Sequence, residues 1–501
     1  MVQPMLPGQT PASTQRLEEM ASSLNSRLDN LASSEACGVP DTLRARFSRS
    51  MSDMYKKEVP LYGNLISIVN NVDDRVANIF PLTKFQADLA QISTEKLPAR
   101  HRVERHGAIR MGTAQELRTI TKLFAIFNMY PVGYYDLSVV GFPLHSTAFR
   151  PLTSAALASN PFRVFTTLLR ADLLSGDVRA LAENALSKRK LFTDRLLQLM
   201  EKAETEGCLS ATEQDELITE SLEIFRWHPI ATVTKSDYNK MNAGHPMIAD
   251  IASFRSAHIN HLTPRTLDID VVQQAMLDQG IPAKERIEGP PQRKCPILLR
   301  QTSFKALEEP VKFDNGNGVL VDGCHTARFG EVEQRGAAVT RKGRELYDRL
   351  LAETNAIAAE KNAKGSVYYE ILQNVFHDYP DDWSELQSQG LVFFSYRTTI
   401  HGMKEVGQYD RRTLSELVAA RHVDFEPLVY EDFLPFSAAG IFTSNLKSSV
   451  SVVYEAKGNR ALLERDLGVE IHNEMDLYEH MQAETLEACR IALGLKEIVL
   501  K

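Results

Sequence analysis

Arg105-His106-Gly107-Ala108-Ile109-Arg110 and Asn260-His261-Leu262-Thr263-Pro264-Arg265 carry the same His-x-x-x-Arg pattern, one copy in each half of the chain. The two histidines stand 155 residues apart (261 − 106). A second pair keeps that offset: Ser146-Thr147-Ala148-Phe149-Arg150-Pro151-Leu152 is echoed by Gln301-Thr302-Ser303-Phe304-Lys305-Ala306-Leu307, with Thr302 again 155 residues after Thr147. One such pattern carries little information, but two in one register indicate a duplicated module. Duplication can bring two equivalent histidines to a pseudo-twofold interface, where they could share one metal ion.

The first copy opens near Val103 with a short strand. It continues into a helix over Ala114–Asn128, with Leu117, Ile120, Leu123 and Ile126 on one face, and then into β-rich sequence over Tyr130–Leu152. The second copy starts at His258, with a helix over Asp268–Gln279 and strands near Ile297–Leu307, Val311–Val321 and Arg328–Arg335. Asp314-Asn315-Gly316-Asn317-Gly318 reads as a hairpin turn. As a calcium loop it fails, because His325 occupies the twelfth position where glutamate is needed.

Each copy therefore sketches a strand, a helix and several strands. The expected fold is α+β, with two βαβββ modules forming a cupped mixed sheet. The expected organisation is a helical preface over 1–100, a first module over 101–170, a helical insertion over 171–255, a second module over 256–340, and a mixed C-terminal region over 341–501 that completes the pocket. In the preface, Leu17, Met20, Leu24, Leu28 and Leu31 follow a helical period. The acidic run Thr212–Glu216 of the insertion reads as a solvated helix face.

A chain of 501 residues with 43% hydrophobic and 24% charged residues has the composition of a soluble globular protein. A net charge of −8 argues against nucleic-acid or anionic-membrane partners, while leaving local arginines able to bind a small anion. The five cysteines, Cys37, Cys208, Cys295, Cys324 and Cys489, are scattered and lack a C-x-x-C spacing, so they read as free thiols of a reducing compartment. No secretory or organelle signal and no bilayer-length apolar run is visible, which makes the cytoplasm the expected location. Walker and Rossmann phosphate loops are absent.

The chemistry concentrates in Arg328-Phe329-Gly330-Glu331-Val332-Glu333-Gln334-Arg335. Its alternation is that of a strand, which puts Glu331 and Glu333 on one face. Two aligned carboxylates are costly on a buried face unless something pairs with them. With His106 and His261, one of them completes a 2-His-1-carboxylate set, which suits non-haem Fe(II) with O2 and a chelating substrate. His258 competes with His261 on the same short segment, and the 155-residue offset with the shared arginine favours His261. Plainer readings stand beside these. His106 alone could be a core histidine, Arg110 and Arg265 could close salt bridges within the sheet, and His325, Arg397 and His401 read as structural residues near strand ends.

These segments also resemble a known family. His106-Gly-Ala-Ile-Arg110, His258-Ile-Asn-His261-Leu-Thr-Pro-Arg265-Thr-Leu-Asp-Ile-Asp270, Phe329-Gly-Glu331-Val-Glu-Gln-Arg335-Gly and Leu434-Pro-Phe-Ser437-Ala-Ala-Gly-Ile-Phe442 are similar to the 2-oxoadipate dioxygenase/decarboxylase family of the vicinal oxygen chelate superfamily. The resemblance covers roughly residues 50–460. It implies an Fe(II) enzyme that converts 2-oxoadipate and O2 to 2-hydroxyglutarate and CO2, a step of lysine breakdown. The glutamate strand also resembles that of 4-hydroxyphenylpyruvate dioxygenase, whose metal glutamate precedes a Gln-Arg by three residues; here that register falls on Glu331. The resemblance thus implies iron on His106, His261 and Glu331, with Arg110 on a substrate carboxylate and Phe436 and Ser437 contacting substrate. Phe436 departs from the valine more frequent in the family.

Two other functions fit the same residues: an oxygen-independent metal-dependent isomerase or lyase, and a non-catalytic metabolite-binding scaffold. A complete ligand set argues against the scaffold. Ser437 does not sit in Gly-x-Ser-x-Gly, which argues against a hydrolase.

Overall fold

The computed structural model describes residues 40–79, 99–404, 411–434 and 458–500. Two helices, α1 (Pro40–Glu58) and α2 (Pro60–Ile79), precede the strands that build the site. These strands are β1 (His106–Met111), β2 (Tyr130–Asp136), β3 (Leu144–Arg150), β4 (Arg163–Leu169), β5 (Ile230–Thr234), β6 (His261–Thr263), β7 (Leu299–Ser303), β8 (Glu308–Asp314), β9 (Leu320–Thr326) and β10 (Glu331–Arg335).

A five-stranded mixed sheet runs in the order β2-β3-β4-β1-β6. β1 lies inside it, buried along its whole length, parallel to β4 and antiparallel to β6. The β1–β6 register sets His106 opposite Thr263 and Ala108 opposite His261. Gly107 permits that approach, because a Cβ there would lie 2.5 Å from Ile259 Cδ1 and 3.1 Å from Leu262 Cδ2. The helix expected over Ala114–Asn128 spans Ala114–Ile126 and opens with a Thr113/Glu116 capping box.

Side chains alternate across a strand, so each face of the sheet meets a different core. Ile109 and Met111 of β1, Val164 and Leu168 of β4, Leu262 of β6 and Val332 of β10 join Phe47, Tyr55 and Val69 of the leading helices in one core. Ala108, Phe165 and Leu169 point the other way, into a second core with Phe433. His106, Arg110, His261, Glu331 and Glu333 alternate with the first-core residues, so they share the opposite face. Tyr55 Oη reaches the carbonyls of Asn260 (3.0 Å) and Phe329 (2.7 Å), tying α1 to the residues that lead into β6 and β10.

The second half is divided rather than gathered into one sheet. β7 and β10 form an antiparallel ribbon that pairs Glu331 with Ser303 and Glu333 with Gln301. A single parallel bridge from Arg265 to Glu333 joins this ribbon to the continuation of β6. β8 and β9 form a hairpin around the expected Asp314–Gly318 turn, where Gly316 and Gly318 take positive φ. That hairpin pairs through β8 with β5, in parallel, instead of with β7 and β10. The strand expectations over Ile297–Leu307 and Val311–Val321 were accordingly too long, and the two ends of the latter belong to two arms.

Residues 171–255 contain helices Gly176–Ser187, Asp194–Glu206, Ala211–Phe225, Lys235–Gly244 and Pro246–Ala252, with β5 between the third and fourth. Helices Arg341–Glu360 and Glu474–Ala492 dominate the C-terminal part. The leucine stripe Leu17–Leu31 lies outside the described residues. Among the described residues the cysteines, Cys208, Cys295, Cys324 and Cys489, are free, and no helix is long and apolar enough to cross a membrane.

Candidate metal centre

The face of the sheet opposite α1 and α2 brings His106, His261 and Glu331 together, all three buried, with one donor atom of each within 4.8 Å of the others. His106 Nε2 lies 3.1 Å from Glu331 Oε1, and His261 Nε2 lies 3.8 Å from Glu331 Oε2. The two imidazole rings are 5.4 Å apart and perpendicular, at 89°. Thr263 Oγ1 sits 3.1 Å from His106 Nε2, and Gln301 donates to Glu331 Oε1.

The two glutamates share one face of β10 but meet different atoms of His106. Glu331 faces the histidine Nε2 atoms, while Glu333 Oε2 lies 3.0 Å from Nδ1 of His106, on the far side of the ring. Arg335 grips Glu333 through both oxygens. A carboxylate behind a ligating imidazole fixes its tautomer and raises its basicity.

Burial works against a charge on His106, but the carboxylates of Glu331 and Glu333 beside it outweigh that and raise its pKa. His261 behaves oppositely: burial, then the charges of His106 and Arg110, push it well below the usual imidazole range. Burial also penalises the Glu333 carboxylate, yet Arg335 and His106 hold it well below its ordinary value. Glu331 Oε2 is buried without a hydrogen-bond partner. A buried carboxylate oxygen left so is costly, and a cation held with His106 and His261 offsets that cost. Two imidazole nitrogens and one carboxylate, all desolvated, fit a divalent transition metal and leave coordination positions open.

Arg110 lies on the same face of β1 as His106, two side-chain repeats along. Its Nη1 is 2.6 Å from Oδ2 of Asp250, in helix Pro246–Ala252. His258 does not join His106 and His261. It precedes β6, and its Nε2 is 3.1 Å from Asp250 Oδ1. His325, at the end of β9, reaches the same oxygen at 2.8 Å. Arg265 is buried beside β10, with its backbone bridged to Glu333. Arg397 pairs with Asp424 (3.0 Å) and Glu426 (2.9 Å), and His401 is exposed beside His422, so both stand away from the centre. Phe436 and Ser437 lie outside the described residues.

The segment that leads toward them is firmly held. Phe433 sets its ring against His106 at 4.9 Å. Glu431 accepts from Arg105 and Arg163, and Asp432 accepts from Arg150 and Tyr478. Sequence reasoning missed Asp250, Thr263, Glu431 and Phe433. Thr263 and Gln301 carried a signal, each as part of a repeated segment.

The sequence model of the 2-oxoadipate dioxygenase/decarboxylase family matches residues 47–445. A Pseudomonas putida protein named 2-oxoadipate dioxygenase/decarboxylase is 47% identical over 464 residues, covering 91% of this chain and 98% of its own. The Escherichia coli K12 protein of that name is 46% identical over 90% of this chain and 98% of its own. Among solved structures, the hydroxyglutarate synthase of Pseudomonas putida in complex with 2-oxoadipate superposes with a TM-score of 0.81 at 46% identity, covering 92% of this chain and all of that one (100%). Matched over most of its length in sequence and in fold, the chain belongs to the 2-oxoadipate dioxygenase/decarboxylase family.

Proposed function

We propose that the protein is an Fe(II)-dependent dioxygenase that converts 2-oxoadipate and O2 to 2-hydroxyglutarate and CO2. The observation that carries this is the buried His106–His261–Glu331 set on one face with Arg110. Family membership supports the reaction class, and the related synthase bound to 2-oxoadipate supports the substrate.

Iron held by these three residues would supply chelation of the 2-oxo acid and activation of O2. The chain's own groups do the rest. The Glu333 carboxylate, 3.0 Å from Nδ1 of His106, favours the ring proton on that nitrogen and so leaves Nε2 free to meet the metal. Arg110, four residues along the same strand face, binds the distal carboxylate, since its planar fork matches a carboxylate better than a lysine does. Phe433 and the apolar residues around it exclude water, so the reacting 2-oxo group is desolvated. Phe436 and Ser437 belong to this reading as substrate contacts.

The reading extends to the duplicated βαβββ origin of the fold, with the repeated motifs and the parallel β1–β4 and Arg265–Glu333 pairings in support. It also includes the five-part division of the chain given above, a cytoplasmic location and a place in lysine breakdown. The test is O2 uptake by anaerobically Fe(II)-loaded protein on adding 2-oxoadipate, with CO2 and 2-hydroxyglutarate followed together. Equal amounts of the three are expected. Turnover without O2 would instead favour an isomerase or lyase.

A further inference from the structure

A second buried cluster, Asp250, His258 and His325, has metal-like spacing, with donor atoms within 4.8 Å of one another. Its hydrogen bonds give it a different use. Tyr238 Oη lies 2.9 Å from Nδ1 of His325. If the phenol donates there, Nε2 of His325 carries the ring proton and donates to Asp250 Oδ1, at 2.8 Å. His258 Nε2 donates to that same oxygen at 3.1 Å. Oδ2 is thereby left to Arg110, whose Nη1 lies 2.6 Å away. Each of these four contacts pairs a donor with an acceptor without a cation. Trp227 and Phe254 pack against both histidine rings and keep the network dry.

We infer that Asp250, held by His258, His325 and Tyr238, is a positioning residue that fixes the Arg110 guanidinium for the distal carboxylate of the substrate. The inference rests on the proposed role of Arg110. A guanidinium has five N–H donors in a rigid fork, so one edge can hold Asp250 while another meets a carboxylate. A free arginine side chain would lose rotamer freedom on binding, whereas one clamped in advance has already lost it. Asp250 also balances the buried charge of Arg110 before substrate arrives. Tyr238 and Asp250 both come from the helices between β4 and β6, so that helical segment reaches over the sheet and sets substrate specificity.

The test compares Asp250→Asn, Arg110→Gln and the double variant as Fe(II)-loaded enzymes, using 2-oxoadipate and 2-oxohexanoate, the same chain without the distal carboxylate. Asp250→Asn is expected to raise KM for 2-oxoadipate at least tenfold with kcat within about threefold, with iron content unchanged and kcat/KM for 2-oxohexanoate unaltered. The double variant should be no worse than Arg110→Gln. His325→Phe, which guards against misfolding of Asp250→Asn, should show the same split to a lesser degree, and His325→Gln should restore discrimination by returning a donor. If Arg110→Gln loses discrimination while Asp250→Asn and His325→Phe keep it, the positioning role is overturned and the reading of Arg110 stands. If Arg110→Gln keeps discrimination, the reading of Arg110 fails and the inference falls with it. A second metal ion per chain that disappears in Asp250→Asn would overturn the inference in favour of a metal site.

Discussion

Glu333 Oε2 lies 3.0 Å from Nδ1 of His106, on the side of the ring turned away from Glu331. The two carboxylates of one strand therefore bracket one imidazole, and their substitutions should separate. Glu331→Ala is expected to abolish iron binding while leaving the fold largely intact. Glu333→Gln keeps a hydrogen-bond acceptor and should weaken iron by about 10- to 100-fold without abolishing it. Iron content after anaerobic loading and dialysis distinguishes the two, and near-normal occupancy in Glu331→Ala would move the ligand role to Glu333.

Arg110→Lys replaces a fork by a point charge while keeping the sign. KM should rise far more for a dicarboxylic 2-oxo acid than for a monocarboxylic one of equal length. Steady-state kinetics on the two substrates decide the matter. Equal effects would show that Arg110 does not read the distal carboxylate.

The face carrying the site was legible in the sequence alone. The repeated His-x-x-x-Arg and the alternation of Glu331 and Glu333 use only the period of a strand: the first copy lies within β1, the second begins in β6 and runs past its end, and the glutamates lie in β10. What was illegible depends on partners far off in the chain. Asp250 meets Arg110 across 140 residues and Arg150 meets Asp432 across 282; no local spacing encodes either pair. His258 looked like an alternative ligand because it lies three residues before His261. Its side chain instead turns to Asp250, since β6 begins only at His261 and the chain before it need not alternate. The division of the second half was hidden for a similar reason, as the choice of β8 to pair with β5 is made by tertiary packing.

Tyr55 joins the leading helices to the site through a single hydroxyl between the carbonyls of Asn260 and Phe329. Tyr55→Phe leaves the ring in place and removes the donor from a fully buried position. The expected loss is about 1–3 kcal/mol of unfolding free energy, the range for a buried polar group left unsatisfied. Urea denaturation of the metal-free protein measures it, and a change below ~0.5 kcal/mol would show that other donors take over.

Glu431 should govern part of the acid limb of stability. Burial alone would raise its carboxyl pKa, but Arg105, Arg163 and Arg335 bring it down to about 2. Arg105 and Arg163 are themselves pushed down to about 10, chiefly by burial and then by charges that include neighbouring arginines. Both directions hold together because cations outnumber carboxylates around Glu431. A carboxyl whose folded pKa lies below its unfolded value stabilises fully above the unfolded pKa, near 4.5, and loses that contribution as pH falls toward about 2. The displacement corresponds to at most ~3 kcal/mol. Glu431→Gln removes this titration, so its stability should fall less steeply than that of the wild type as pH drops from 5 to 3, in urea titrations at fixed ionic strength. At neutral pH the same variant leaves Arg105 and Arg163 short of a counter-charge, and breaking a buried pair on one side costs about 3–5 kcal/mol. A lower stability plateau with a flatter acid limb is thus the expected signature, whereas an acid limb parallel to that of the wild type would assign the proton uptake to other carboxylates.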